Sequence, residues 1–324
     1  MPGILAADIG GTNSRFGHFI ARDAERVELV STTWIKTAQA RSFGELLELL
    51  PAQGFDLPPA KADIAVIAIA GAVEDGVRCT PSNIPWSIDL GNAARDFGLR
   101  RVALINDFVA QAFACRSPVA ERCRVLLPGD PAPDGAIAAI GAGTGLGKCA
   151  LLPVECNGRR EYRPIPSEGG HTDIPFLTRA EFEYQEFLRN MTGRGQIIGD
   201  IVLSGRGLAL LHEFHTGQAL SPPDAAACCN ESPLCPTVEW YARFYARSCR
   251  NYVLEVLARG GIFITGGVAA KNPCLVEHPA FAEEFRFSPT HGDLIAKVPV
   301  RLNSDENAGL WGAATCGAQL LQLP

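Results

Sequence analysis

The sequence lacks an apolar run long enough to cross a membrane. A membrane-spanning helix needs about 18 apolar residues, whereas the best candidate, residues 64–73, is short and lies between Asp63 and Glu74. The N-terminal stretch also reaches Asp8 before a signal-like apolar core can form, so we expect no secretory signal. Both absences argue against a membrane protein and lead us to expect a cytoplasmic one.

An excess of positive charge is also missing. Lys and Arg number 29 against 35 Asp and Glu, which gives a net charge of −6 at pH 7. An acidic chain is poorly suited to a nucleic-acid polyanion, so no nucleic-acid partner is expected. The hydrophobic fraction of 47% and the charged fraction of 20% are ordinary for a globular protein, and they exclude wholesale disorder.

Eleven cysteines are present, yet no C-x-x-C motif occurs. Without an export signal we expect free buried thiols rather than disulfides. Cys228, Cys229 and Cys235 cluster in the sequence. His212 and His215 are three residues apart, one short of the spacing of zinc ligands on a zincin helix. We therefore expect no structural zinc.

The length and the pattern of elements indicate a two-domain α/β protein. A chain of 324 residues exceeds the roughly 250 residues at which single cores stop growing, and strand-like and helix-like segments alternate. A pattern of strand, glycine turn and strand occurs at residues 4–19 and recurs at residues 136–152. Further strands are predicted at residues 27–33, 64–70, 101–105 and 262–265, and helices at residues 43–50, 108–115, 237–258 and 304–320. Thr237 and Gly260 are predicted to begin and stop the third helix, residues 217–236 to form an exposed excursion, and the last helix to pack closely through Gly309, Gly312, Ala313 and Ala314.

The two glycine turns of the repeated pattern are candidate anion sites. They lie at residues 10–13 and 141–145. Successive backbone N–H groups in such turns form a concavity that binds anions, although a simple hairpin turn explains either motif alone. A P-loop is excluded because Ala142 and Cys149 stand where it needs Gly and Ser or Thr, and Leu146 excludes a dinucleotide fingerprint.

Asn106 and Asp107 follow a predicted strand and precede a predicted helix. In open α/β sheets, ligands gather outside the carboxyl ends of the strands. An Asp at that place can accept a proton from a substrate hydroxyl. Asn and Asp are also among the best helix N-caps, so a catalytic base and a helix cap both remain open here.

Glu168 and His171 are separated by Gly169 and Gly170. The two glycines disfavour a helix, and therefore also a helical Glu–His metal site. On a loop, a carboxylate and an imidazole suit a ligand with several hydroxyl groups. A solvent-exposed turn is the alternative.

Taken together, these segments resemble the bacterial glucokinase family, within the actin and sugar-kinase superfamily of ATPases. The similar segments stand in the family's order: Asp8-Ile9-Gly10-Gly11-Thr12-Asn13, Leu104-Ile105-Asn106-Asp107-Phe108, Gly141-Ala142-Gly143-Thr144-Gly145-Leu146-Gly147, Glu168-Gly169-Gly170-His171, Val202-Leu203-Ser204-Gly205 and Ile264-Thr265-Gly266-Gly267-Val268. The resemblance implies a two-domain actin-like ATPase fold, of the ribonuclease H-like type, with the active site in the interdomain cleft. We expect a small domain of residues 1–108 plus 303–324 and a large domain of residues 109–302.

The resemblance also implies ATP and Mg²⁺ as cofactors, without a direct protein ligand to the metal. The phosphates would be bound by the two glycine turns: Ala7, Asp8, Ile9, Gly10, Gly11, Thr12 and Asn13 in the first, and Gly143, Thr144 and Gly145 in the second. Water near Asp8 would carry the Mg²⁺, and Gly266 and Gly267 would lie near the adenosine.

The resemblance further implies a sugar site. Asp107 would be the general base for the 6-hydroxyl, while Asn106, Glu168 and His171 would hydrogen-bond the sugar. Family members usually carry Glu where this chain has Asp200. We therefore expect Asp200 to reach the sugar from a closer backbone or through a bridging water, and its loss to affect the sugar more than ATP. The alternative for Asp200 is a surface residue beside a strand.

The resulting hypothesis is ATP-dependent phosphorylation of glucose to glucose 6-phosphate, which feeds glycolysis. A kinase for another hexose or an amino sugar is one alternative, and a non-catalytic sugar sensor is another. The presence of Asp107 together with both glycine turns weighs against the sensor. A homodimer is what the family suggests.

Overall fold

A computed structural model describes residues 1–81, 83–156 and 158–322. The chain divides into unit 1, which is Met1–Arg122 with the segment from Asp305 onward, and unit 2, which is Cys123–Ser304. The strands are β1 (Gly3–Ile9), β2 (Asn13–Ala21), β3 (Val27–Lys36), β4 (Ile64–Ile69), β5 (Val73–Glu74), β6 (Arg78–Cys79), β7 (Ile88–Asp89), β8 (Val102–Asn106), β9 (Arg124–Leu127), β10 (Ile137–Ala142), β11 (Leu146–Cys156), β12 (Arg159–Ser167), β13 (Gly261–Thr265) and β14 (Val300–Leu302). The helices are α1 (Phe43–Leu49), α2 (Ala93–Phe97), α3 (Asp107–Ala114), α4 (Val119–Arg122), α5 (Arg179–Thr192), α6 (Gly199–Val202), α7 (Gly205–Thr216), α8 (Pro222–Glu231), α9 (Pro236–Val256), α10 (Gly267–Lys271), α11 (Cys274–Glu277), α12 (Pro279–Arg286), α13 (Gly292–Ala296) and α14 (Ala308–Leu321), with 3₁₀ turns at Thr37–Gln39, Pro51–Gln53, Pro59–Lys61 and Gly169–His171.

The main sheet of unit 1 has the strand order β3-β2-β1-β4-β8. The hairpin strands β1 and β2 are antiparallel, while β4 runs parallel to both β1 and β8. Every residue of β4 is buried, because helices cover both faces of this part of the sheet. A strand covered on both faces reads as a continuous apolar run, which is why residues 64–69 contain no polar residue.

Helix α14 covers one face of this sheet and packs on α3. Its small residues are buried, as the sequence predicts. A Cβ added to Gly312 would lie 1.7 Å from the carbonyl oxygen of Ala110, so the two helix backbones are in direct contact. This close packing brings the C-terminal helix into the same unit as the first strand.

The main sheet of unit 2 repeats the topology of the first. Its order is β12-β11-β10-β13-β14-β9, with β10 and β11 antiparallel and β13 parallel to β10. Each glycine turn therefore joins two antiparallel strands, and the strand that enters the turn also has a parallel neighbour. The repeat predicted from the sequence is confirmed.

A buried ion network crosses the helical layer of unit 2. Arg247 of α9 is 2% exposed and donates hydrogen bonds to Glu181 of α5 (2.9 and 3.0 Å) and Glu284 of α12 (3.0 and 3.3 Å). Burial alone would raise the pKa of Glu284, but its hydrogen bonds and charge interactions with Arg247 and Arg250 lower it. A buried charge needs such partners, so this cluster fixes how three helices pack.

Both predicted ends of helix α9 are wrong. Helix α9 is capped by Cys235 rather than Thr237, because Pro236 takes the first helical position, where its missing N–H costs nothing. The helix ends on Leu257 rather than at Gly260. Residues 217–236 are mostly exposed, as predicted, but they contain α8, which buries Ala225 and Cys229.

The predicted domain boundaries also differ from the division that the structure shows. A boundary after Phe108 would cut α3, yet this helix packs on α14 within unit 1. The first unit therefore extends to Arg122, and it resumes at Asp305 rather than at Asn303.

Leu257 is a strained helix end whose replacement should stabilise the protein. Its backbone angles, φ 48° and ψ 52°, are in the left-handed region, which costs an L-residue about 1–2 kcal/mol. The residue is 56% exposed. We expect Leu257→Gly to increase the free energy of unfolding by about 0.5–1 kcal/mol after the entropy of the glycine in the unfolded chain is counted. Urea denaturation measures this change. Leu257→Ala is the control, since it removes the exposed side chain but keeps the Cβ, and an equal gain in both variants would contradict the explanation.

Candidate functional site

The first glycine turn, residues 10–13, is clamped to the sheet from one side. Gly10 N–H donates to the Asn13 carbonyl (3.0 Å), the Thr37 hydroxyl donates to the Gly10 carbonyl (2.6 Å), and Thr37 N–H donates to the Thr12 carbonyl (3.1 Å). Among the described residues, the N–H groups of Gly11 and Thr12 make no hydrogen bond. Adjacent unpaired donors of this kind form an anion-binding concavity.

The residues on either side of this turn divide between the core and the turn. The side chains of Ala7 and Ile9 are buried in the core of unit 1, so only their backbone can serve a ligand. The Asn13 side-chain oxygen accepts a hydrogen bond from Lys36 (2.8 Å). Of the predicted first-turn residues, Asp8 is therefore the only acidic side chain at the turn.

Asp8 is the residue before the last of β1 and is held by a residue that the sequence reasoning missed. The guanidinium of Arg15, directly opposite in the hairpin, lies 3.0 Å from its carboxylate and also stacks 4.4 Å from the ring centroid of Trp34. Burial raises the pKa of Asp8, although the charge of Arg15 and its hydrogen bond act to lower it. A Cβ at Gly309 would lie 2.5 Å from the Asp8 carboxylate, so α14 closes over it. The antiparallel pairing of a short hairpin was the signal that predicts Arg15 beside Asp8.

Asn106 and Asp107 lie at the carboxyl end of β8, as expected. Asn106 is the N-cap of α3: its side-chain oxygen accepts from Phe108 N–H (2.8 Å), and its amide donates to the Gly71 carbonyl (3.0 Å). Asp107 is half-buried and is the first residue of the helix. The cap is therefore Asn106, which leaves the role of a base open for Asp107.

The second glycine turn, residues 141–145, is held on both sides. Ala142 N–H donates to the Tyr245 hydroxyl (3.1 Å), Gly205 N–H donates to the Gly143 carbonyl (3.1 Å), and Leu146 N–H donates to the Asp200 carboxylate. Within the described part of the chain, the N–H groups of residues 144 and 145 have no hydrogen-bond partner. The turn therefore has the same division of bonded and available donors as the first.

The loop of Glu168 and His171 forms a 3₁₀ turn. Both side chains are exposed, and the imidazole lies 3.7 Å from the Glu168 carboxylate and 3.8 Å from that of Asp200. Three polar groups that are widely separated in the sequence are thus brought together within unit 2. Asp200 itself belongs to helix α6, so no strand is present at that place.

A buried lysine beneath this loop was also missed. Lys148 is 5% exposed, and its ammonium lies 5.3 Å from the ring centroid of Tyr252. A Cβ at Gly169 would lie 3.2 Å from the Lys148 side chain, so the loop rests on the lysine. Burial lowers the pKa of Lys148. The sequence signal that could have predicted a buried Lys148 was a lysine within an otherwise apolar strand segment.

Gly266 and Gly267 follow β13 beside the second turn. Gly266 has φ 84°, and a Cβ on it would lie 2.6 Å from the Ala142 carbonyl oxygen. Both the conformation and the close approach require glycine. The structure therefore brings the two glycines next to the second turn, in unit 2.

The described residues contain neither a metal-binding cluster nor a membrane-spanning helix. No group of three or more His, Cys, Asp or Glu side chains is arranged there to hold a metal ion. In the same residues, no helix combines the length and apolar character that crossing a membrane requires.

Comparisons with known proteins show what the chain is similar to. The sequence model of the glucokinase family matches residues 5–320. A glucokinase of Pseudomonas paraeruginosa is 31% identical over 98% of this chain and 93% of its own length. The crystal structure of a glucokinase from an Antarctic psychrotroph has a TM-score of 0.81 at 24% identity and covers 98% of both chains. A ROK family glucokinase from Streptomyces griseus, in complex with glucose and AMPPNP, has a TM-score of 0.62 at 17% identity and covers 97% of this chain and 98% of its own.

These neighbours share a two-domain actin-like ATPase fold, and the two similar sheets described above have the topology of that fold. The family match spans both glycine turns, Asp107 and the loop of Glu168 and His171. The chain therefore belongs to the glucokinase family.

Proposed function

We propose that this protein transfers the γ-phosphoryl group of ATP to the 6-hydroxyl of glucose. The observation that carries the proposal is Asp107 at the start of α3, at the carboxyl end of β8, in a chain that also contains both glycine turns with available N–H donors. Kinases for other hexoses or amino sugars remain the alternative reading, but the family and its curated members favour glucose.

Asp107 acts in this proposal as the general base. Its carboxylate takes the proton of the 6-hydroxyl as that oxygen forms a bond to the γ-phosphorus, and the bond from the γ-phosphorus to the bridging oxygen breaks to release ADP. Asn106 lies beside Asp107, and both polar atoms of its side chain are hydrogen-bonded to the backbone. A neighbour held this rigidly loses little freedom when the substrate binds.

The glycine turns bind the phosphates of ATP. The available N–H groups of Gly11 and Thr12 and of Thr144 and Gly145 supply donors that are already oriented, which stabilises charge at low reorganisation cost. Mg²⁺ would enter with ATP, and the Asp8 carboxylate would hold its water shell. Such an ion neutralises the charge on the transferred group. Gly266 and Gly267 lie near the adenosine.

Glu168, His171 and Asp200 hydrogen-bond the sugar hydroxyls. Their clustering within unit 2 supports this role, because a carboxylate accepts and an imidazole can donate or accept. We also propose that the protein works in the cytoplasm. The homodimer implied by the resemblance stays a prediction.

A hexose panel tests the proposed function directly. We expect the coupled ADP-release assay to give the highest kcat/KM with glucose among glucose, mannose, fructose, glucosamine and N-acetylmannosamine. A higher value for another sugar would identify the alternative kinase. Sugar binding without ADP release would indicate a sensor.

Asp107→Asn separates the base from the helix start. Asn keeps an oxygen that can accept the Phe108 N–H bond seen for Asp107 (3.0 Å), so folding and sugar affinity should change little. We expect kcat to fall at least about 10²-fold, because the amide cannot take the proton. Steady-state kinetics with circular dichroism measure both effects. Near-normal turnover in the folded variant would reduce Asp107 to a structural residue.

Gly143→Val tests the second turn. A Cβ on Gly143 meets nothing within 4 Å, so valine fits the protein but occupies the space over the turn. We expect affinity for AMPPNP to fall at least about tenfold, or about 1.4 kcal/mol, with glucose affinity nearly unchanged. The matched control is Gly195→Val, another open position in unit 2 with ordinary backbone angles. Unchanged AMPPNP binding in calorimetry would remove this turn from the nucleotide site.

A further inference from the structure

The carboxylate of Asp200 connects two loops of unit 2. One oxygen accepts the hydrogen bond of Leu146 N–H at the end of the second glycine turn, and the other lies 3.8 Å from His171 Nδ1. Asp200 is 54 residues from Leu146 in the sequence. The family resemblance predicts a sugar contact at this position. The structure adds a hydrogen bond to the residue that follows the second glycine turn.

Two glycines allow the carboxylate to enter this position. A Cβ on Gly145 would lie 2.6 Å from one Asp200 oxygen, and a Cβ on Gly170 would lie 2.8 Å from the other. Either side chain would displace the carboxylate. The backbone of the second glycine turn therefore contacts Asp200 directly. The backbone of the loop of Glu168 and His171, which we call the sugar loop, does so as well.

The bond to Leu146 matters because that residue is 5% exposed. A buried N–H group without a hydrogen-bond partner destabilises the fold by the full free energy of its desolvation. The turn would therefore reorganise if the carboxylate were lost. The two residues before Leu146 are Thr144 and Gly145, whose N–H groups are available. Their orientation depends on where the turn ends.

We propose that Asp200 is a positioning residue that holds the second glycine turn in its nucleotide-binding conformation while its other oxygen faces the sugar loop. The nature of the two ligands rests on the proposed function; the effect on the turn does not. One carboxylate thus supports both ligand sites of unit 2. The competing explanation is that Asp200 merely stabilises the short helix α6.

Three substitutions separate these explanations. Asp200→Ala removes the acceptor, whereas Asp200→Asn keeps an oxygen for Leu146 N–H and removes the charge. Asp173→Asn is the matched control, since this carboxylate lies in the neighbouring segment and bonds the Gln196 side chain (2.7 Å) rather than the turn.

The measurement is the Kd of AMPPNP with Mg²⁺, by calorimetry without sugar, together with the KM for glucose. We expect Asp200→Ala to weaken AMPPNP binding about tenfold or more, and Asp200→Asn to bind it at least as tightly as the unmodified protein, because a negative charge near the phosphates is lost. Both variants should raise the KM for glucose. Asp173→Asn should change neither value. Unchanged AMPPNP binding in a folded Asp200→Ala protein overturns the proposal, as does an equal loss in Asp200→Asn.

Gly145→Ala keeps the proposal testable if Asp200→Ala does not fold. The added methyl group pushes the carboxylate away from Leu146 without removing it, so AMPPNP binding should weaken as it does in Asp200→Ala. Normal binding in Gly145→Ala would contradict the proposal. In a foldable Asp200→Ala background, the same methyl group should have little further effect, and full additivity would count against a shared mechanism.

The outcome is independent of the proposed reaction. If the unmodified protein releases no ADP with any sugar, the proposed function fails, but the AMPPNP comparison still decides the role of Asp200. If it phosphorylates glucose and Asp200→Ala binds AMPPNP normally, only the positioning role is lost.

Discussion

A glycine turn can bind phosphate only if it leaves some backbone N–H groups unpaired while the rest of the turn is held in place. Buried backbone donors are otherwise almost always paired. In the second turn, Ala142 and Leu146 are bonded at the two ends, and the available donors lie between them. In the first, Gly10 is bonded within the turn and Thr37 clamps its carbonyls. The surrounding structure in each unit provides those fixed ends.

The repeated sheet topology explains why both turns have this property. Each begins at the carboxyl end of a strand that has an antiparallel partner on one edge and a parallel partner on the other. A strand fixed on both edges cannot shift its register, so the turn that follows begins at a defined point. Asp107 and Gly266 also follow strands of these sheets, as expected for ligand-binding positions in open α/β sheets.

Charged and polar side chains near the turns are supported mainly by backbone or by an opposite charge. Asn106 is bonded to backbone through both ends of its amide, Asp8 has Arg15, and Asp200 accepts from the backbone of Leu146. Buried polar groups need such partners to offset desolvation. The same partners fix the side-chain geometry before any ligand binds, which is what electrostatic stabilisation of a reaction requires.

The sequence by itself determined both glycine turns, the strands that enter them and the helix that begins at Asp107, because these depend on local apolar runs, on glycine and on helix-start preferences. It did not predict α8 within residues 217–236, since the contacts that bury one face of this helix come from other helices. Only the tertiary structure decided that Asp200 accepts a hydrogen bond from Leu146 and that Lys148 lies beneath the loop of Glu168 and His171. These contacts join residues that are brought together by the packing of whole helices and strands. A local sequence pattern does not predict such packing.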